Sequence, residues 1–164
     1  MTALDAVGID PLVIRQAYSC FPSGVAALCA LVDGVPVGMA ASSFTTVSVD
    51  PPLVSVCVQE TSSTWPVLAA AARIGVSVLG AGHGDACRRL ASRTKDRFEG
   101  LDWEATDDGA ILVQDAPAAL DCSLENSVVA GDHVIAILRI HALRAETGLD
   151  PLVFHGSRFR SLAA

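Results

Sequence analysis

A chain of 164 residues is long enough for one ordinary domain with its own core and short for two. Its 51% hydrophobic and 18% charged residues exclude a disordered segment, and 11 Lys+Arg against 18 Asp+Glu, a net charge of -7, exclude the basic stripe that nucleic-acid binding needs. The mean hydropathy of +0.47 is high for a soluble monomer and predicts apolar surface covered in an oligomer or by a ligand.

In chain order, the opening MTALDAVGID carries Asp5 and Asp10 and no basic region, so it does not read as a secretion signal. Asp10-Pro11 has the form of an N-cap with proline at the first helical position, and a short helix should follow and end before Pro22. Val25–Val32 is an apolar run closed by Asp33-Gly34, a hairpin signal, with Val35–Ala41 as the return strand. Pro52–Gln59 alternates and is rich in β-branched residues, which predicts a third strand. A helix is expected over Trp65–Arg73, a strand over Ile74–Leu79 and a helix with a polar face over Asp85–Thr94. Residues 98–108 are polar and turn-rich. Ile111–Gln114, Ala119–Ser127, His133–Leu143 and Leu152–His155 all read as strands. Seven or eight strands and three helices, not in βαβ order, give an antiparallel-dominated α+β domain spanning residues 1–164. Closing the sheet into a barrel would remove the exposed edges of so many short strands.

The five cysteines (Cys20, Cys29, Cys57, Cys87, Cys122) include no C-x-x-C pair, and the four histidines show no ligand spacing, so no metal site is expected. An odd number of widely spaced thiols, mostly in apolar surroundings, suits a reducing, cytoplasmic protein. No apolar run reaches the ~18 residues a membrane span needs. The cations gather in Arg88–Arg97 and Arg158–Arg160, enough to hold one or two phosphates.

Two stretches look like chemistry. Leu79–Asp85 (LGAGHGD) runs from a strand through three glycines toward a helix, but Asp85 stands where a dinucleotide loop has Gly or Ala. A carboxylate there repels a pyrophosphate, so a strand-to-helix loop is the better reading. Gly38–Pro52 (GMAASSFTTVSVDPP) crowds Ser42, Ser43, Thr45, Thr46 and Ser48 before Pro51-Pro52, with small side chains at Ala40 and Ala41. Such a segment either lets a flat ligand approach the backbone and binds its oxygens by uncharged donors, or is a Ser/Thr-rich surface turn.

That stretch, with Phe21–Val25, Gly75–Leu79, Gly131-Asp132-His133 and Pro151–Gly156 following in one order, resembles the flavin reductase-like family over about Ile14 to Leu162. The resemblance implies a six-stranded antiparallel Greek-key FMN-binding split barrel with flanking helices. It further implies a homodimer and an NAD(P)H:flavin oxidoreductase that reduces FMN or FAD. Hydride passes from NADH or NADPH to flavin N5, and the reduced flavin then serves a partner monooxygenase. Carried over by position, Ala40, Ala41, Ser42, Ser43 and Phe44 line the flavin ring, and Val47 and Ser48 continue toward the ribityl-phosphate. Ser62, Ser63 and Arg89 serve the phosphate. His133, Phe154 and Gly156 fall on the nicotinamide side, with His133 as the titratable helper. Catalysis by two cofactors asks for no catalytic triad or acid pair from the protein. Here Gly156 is followed by Ser157-Arg158-Phe159, a departure from many relatives, which keeps a second reading: a flavin-binding split barrel without NAD(P)H activity.

Overall fold

The computed structural model describes residues 8, 10–93 and 96–163. Asp10 caps α1 (Pro11–Ser19) as its sequence requires, its Oδ1 accepting the Leu12 N–H at 2.9 Å. A two-residue strand, β1 (Ser23–Gly24), precedes β2 (Ala26–Val32) and β3 (Val35–Ala41). The hairpin between these two turns through Asp33 and Gly34 at φ 51° and 77°. Next come β4 (Thr45–Ser48), β5 (Leu53–Gln59), α2 (Trp65–Ala70), β6 (Ile74–Val78), a 3-10 turn at Ala81–His83 and α3 (Gly84–Leu90). The chain finishes with β7 (Trp103–Ala105), β8 (Ile111–Val113), β9 (Ala118–Ala130), β10 (His133–Ala145), β11 (Val153–His155) and β12 (Arg158–Arg160).

Seven strands form one antiparallel sheet in the order β3-β2-β6-β9-β10-β5-β4. β1-β11-β12 and β7-β8 are small satellite sheets. Two expectations are corrected here. The main sheet has seven strands, not six, and no ladder closes it into a barrel among the described residues. The reason is local. β3 and β4 are its two edges, and the irregular segment Ser42–Phe44 carries the chain from one to the other without pairing them. A side chain holds this segment to β5, continuing the β4–β5 pairing by one more position pair. Ser43 Oγ donates to the Cys57 carbonyl at 2.8 Å and accepts the Cys57 N–H at 2.9 Å.

The sheet is buried on both faces at its centre. On β2, Ala26, Leu28 and Ala30 face one core with Val54, Val56, Val58, Leu68 and Ile74. Ala27 and Cys29 face the other with Leu79, Leu90, Ile111 and Val113. Burial on both sides is why this strand reads as an unbroken apolar run rather than an alternation. α2 inserts Trp65 and Leu68 into the first core, and α3 inserts Cys87 and Leu90 into the second. β8 lies so close over β6 that a Cβ on Gly75 would sit 1.8 Å from the Ile111 carbonyl oxygen. The neighbouring Ser77 Oγ accepts the Val113 N–H at 2.9 Å in the same layer.

Both expected internal helices are shorter in the structure. α2 stops at Ala70, and Arg73 turns to pair with Asp108 and Asp121. α3 stops at Leu90, and Thr94, its expected end, lies outside the described residues. β4 and β12 form where no strand is expected, and β7 falls in the polar, turn-rich stretch 98–108, because pairing to a neighbour outweighs weak local preference in strands this short.

Candidate active site

The Ser/Thr-rich segment forms the wall of a cavity of about 680 Å³. Its sides are built by different elements. The end of β3 supplies Met39, Ala40 and Ala41, and the following turn supplies Ser42 and Ser43. Outward-facing Cys57 and Gln59 come from β5, whose alternate residues Val54, Val56 and Val58 fill the core. The loop before α2 adds Thr61–Thr64, and the chain after α3 adds Arg93 and Arg97. His133, at the start of β10, completes the rim.

These groups are held in place. Ser62 Oγ accepts the Trp65 N–H at 3.1 Å and so fixes the loop against α2. The part-buried Arg97 guanidinium ties three segments of the wall together. Its Nη1 donates to the Gly38 carbonyl at 2.7 Å and to Thr64 Oγ1 at 2.8 Å, and its Nε donates to the Ser92 carbonyl at 2.8 Å. All three acceptors are neutral, and Arg97 forms no ion pair among the described residues. His133 Nδ1 lies 2.7 Å from Asp132 Oδ1. That carboxyl is held below its ordinary range chiefly by the hydrogen bond from His133, with the charges of His133 and Arg15 adding to it. A carboxylate only accepts, so Nδ1 carries the proton and Nε2 is left for a ligand.

A second cavity of about 400 Å³ adjoins the first and shares Ser42 and Ser43 with it. Phe154, His155, Gly156 and Ser157 line one side. Arg15, Tyr18 and Phe21 line the other.

Of the residues named from sequence, Ala40, Ala41, Ser42, Ser43, Ser62, Ser63 and His133 line the first cavity. Phe154 and Gly156 line the second. His133 therefore lines a different cavity from Phe154 and Gly156. Four residues lie outside both linings. Phe44 turns inward and packs on the first core. Val47 and Ser48 belong to edge strand β4, with Val47 49% exposed. Arg89 is engaged with Glu99 on the outer side of α3. The cations at the cavity are instead Arg93 and Arg97, members of the Arg88–Arg97 cluster whose facing side depends on where α3 ends. The glycine loop at 79–85 is structural: the Gly80 N–H donates to His83 Nδ1 at 2.9 Å, and Asp85 lies in the first turn of α3. Among the described residues no group of His, Cys, Asp and Glu side chains is arranged to hold a metal.

Comparison with known proteins agrees with this architecture. Residues 18–163 match the model of the flavin reductase like domain. A flavin reductase of Pseudomonas putida is 36% identical over 157 residues, covering 95% of this chain and 92% of that protein. The reductase subunit HsaB of a flavin-dependent monooxygenase from Rhodococcus jostii is 34% identical over 160 residues, covering 98% and 82%. Among solved structures, the NADH:FAD oxidoreductase SgcE6 of Streptomyces globisporus superposes with a TM-score of 0.90 at 32% identity over 100% of both chains. The same protein in complex with NAD and FAD fragments gives 0.88 at 34% identity, covering 96% and 98%. With a family match over nearly its whole length and relatives above 30% identity at full coverage, the chain belongs to the flavin reductase-like family.

Proposed function

We propose that this chain is an NAD(P)H-dependent flavin reductase that reduces FMN or FAD and passes the reduced flavin to a partner monooxygenase. The observation that carries this reading is the pair of adjoining cavities meeting at Ser42 and Ser43. Two flat cofactors must react ring to ring, and pockets that adjoin at Ser42 and Ser43 bring them next to one another. The larger cavity fits a flavin in kind as well as size. Its volume lies within the roughly 300–1,000 Å³ usual for small-molecule sites. Met39, Ala40, Ala41 and Val58 give it an apolar side, and serine and threonine hydroxyls give it a polar one.

Hydride transfer from nicotinamide to flavin N5 is the chemistry the two cofactors supply when bound. The protein's part is to bind, orient and compensate charge. Arg93 and Arg97, with the Thr61–Thr64 hydroxyls, take the flavin phosphate. Ser42 and the backbone N–H groups beside it would donate to the edge of a bound flavin ring, where negative charge develops on reduction. His133 holds a proton on Nε2 when it is an imidazolium, and Asp132 stabilises that charge.

We further read the open side of this seven-stranded sheet, between β3 and β4, as the split of a split barrel. The assembly is read as a homodimer, supported by the exposed Leu12, Val13, Val128 and Val129. Location in the cytoplasm is supported by five cysteines that all remain free thiols. No helix among the described residues is long and apolar enough to cross a membrane.

The test is oxidation of NADH and NADPH, followed at their near-ultraviolet absorbance, with and without added FMN or FAD. Oxidation that depends on added or bound flavin is expected. Flavin binding with no oxidation by any pair transfers the assignment to a flavoprotein without reductase activity.

A further inference from the structure

With 18 Asp+Glu against 11 Lys+Arg, an arginine of this chain has carboxylates to spare, and what each one does with its charge is informative. Arg73, Arg88, Arg89, Arg139 and Arg144 each pair with an Asp or Glu. Arg93 and Arg97 line the first cavity. Arg15 lines the second, and its charge adds to the hydrogen bond from His133 in holding the Asp132 carboxyl below its ordinary range. That leaves Arg158 and Arg160 on β12. Both are exposed, and neither forms an ion pair among the described residues.

Their direction follows from the alternation Arg-Phe-Arg. In the β11–β12 ladder Phe154 stands opposite Phe159, His155 opposite Arg158 and Val153 opposite Arg160. Phe159 packs on the second core, its ring 5.9 Å from that of Phe154 and beneath the Arg88 guanidinium at 5.0 Å. Side chains alternate across a strand, so anchoring Phe159 inward presents Arg158 and Arg160 together on the other face. That face borders the second cavity. His155, the cross-strand partner of Arg158, lines it, as do Gly156 and Ser157 of the tight turn, both at φ 58°. Arg160 reaches back along the hairpin, its Nη2 lying 4.0 Å from where a Cβ on Gly156 would stand.

These two cations lie outside the cavity lining, at its rim. The reacting ring of a nicotinamide dinucleotide is tied to the Ser42-Ser43 junction beside the flavin, which leaves the adenosine half to reach the rim. The group that tells two such dinucleotides apart is there. A ribose 2′-hydroxyl is read by a carboxylate that accepts from it, and a 2′-phosphate by arginine. No Asp or Glu lines this cavity, and two neighbouring guanidinia suit a phosphate dianion. We propose that Arg158 and Arg160 bind the ribose 2′-phosphate and make this chain select NADPH over NADH. This rests on the reductase reading given above, with the dinucleotide in the second cavity.

The experiment measures kcat and KM for NADPH and NADH at saturating flavin in wild type, Arg158→Ala, Arg160→Ala, the double variant and Arg158→Lys. In parallel, 2′-phospho-ADP-ribose and ADP-ribose are titrated calorimetrically into the flavin-loaded protein, which reads the two arginines without turnover. Wild type is expected to favour NADPH in kcat/KM, and 2′-phospho-ADP-ribose in affinity, by about tenfold or more, the scale of a charge-assisted hydrogen bond. Each alanine variant lowers both ratios, and the double variant abolishes the preference. The change falls on KM rather than kcat, because the 2′-phosphate takes no part in the hydride step. Arg158→Lys keeps part of the preference. Three results would overturn the proposal. Wild type that uses NADH as well as NADPH has no 2′-phosphate site. A double variant that loses both dinucleotides equally places the arginines on the diphosphate. A double variant with the wild-type ratio leaves them a solvated face. Failure of the parent reading is visible separately, as a wild-type protein that oxidises neither NADH nor NADPH with any flavin.

Discussion

Arg97 shows how one side chain joins fold to site. Its three hydrogen bonds connect the middle of β3 and the chain after α3 to the loop before α2, and residues next to or within each of these segments line the cavity. Hydrogen bonds made by a charged group contribute about 1.5–3 kcal/mol each. Arg97→Ala is therefore expected to weaken flavin binding at least about tenfold in a fluorescence-quenching titration, where tenfold is about 1.4 kcal/mol. Arg89→Ala, which removes only a pairing with Glu99 outside the cavity, should change it less than twofold. Equal losses in the two variants would return the phosphate to Arg89. The sequence displays the arginine cluster but not which member faces inward. That choice depends on the helix ending at Leu90, and helix ends are set by tertiary contacts more than by the residues near them.

At the scale of elements, the long periodic strands are legible, and of the short ones β8 and β11 are while β1, β4, β7 and β12 are not. β2, β3, β5 and β6 are visible as apolar or alternating runs because each buries at least one face. β7 and β12 have three residues each and draw their structure from a neighbour, so no local pattern marks them. Close packing between elements is equally silent in sequence, except through glycine. Gly75 permits β8 to cross β6 at a distance no side chain tolerates. Gly75→Ala should force the two layers apart and cost about 3 kcal/mol or more, at the upper end of overpacking effects. For a chain of this length that lowers Tm by on the order of 10 °C. A thermal melt within about 2 °C of wild type would show that the layers separate freely.

At the scale of the whole molecule, the sequence implied more apolar surface than a monomer shows to water, and the structure locates some of it. Val128 and Val129 sit at the far end of the β9–β10 hairpin, 46% and 70% exposed, and Leu12 and Val13 lie on α1. Clusters of this kind are usually covered by a partner. Sedimentation at micromolar concentration is expected to give a mass of about twice the 16.9 kDa of one chain. A single-chain mass across that range would leave these residues to another partner. Residues 40–43, which the resemblance places against the flavin, line the first cavity, whereas Phe44 packs on the first core.

The stitch between Ser43 and Cys57 has a consequence for how such a site can diversify. One hydroxyl serves both backbone groups of Cys57, so position 43 holds the fold together while it lines both cavities. A substitution there that improved a contact with some other ring would leave a backbone donor and an acceptor without a partner. Ser42 is next to it, exposed, and lines both cavities without a side-chain hydrogen bond among the described residues. Position 42 is thus the place where ligand preference can be retuned while the scaffold stays intact, and a saturation library should find its tolerated variants there rather than one residue on.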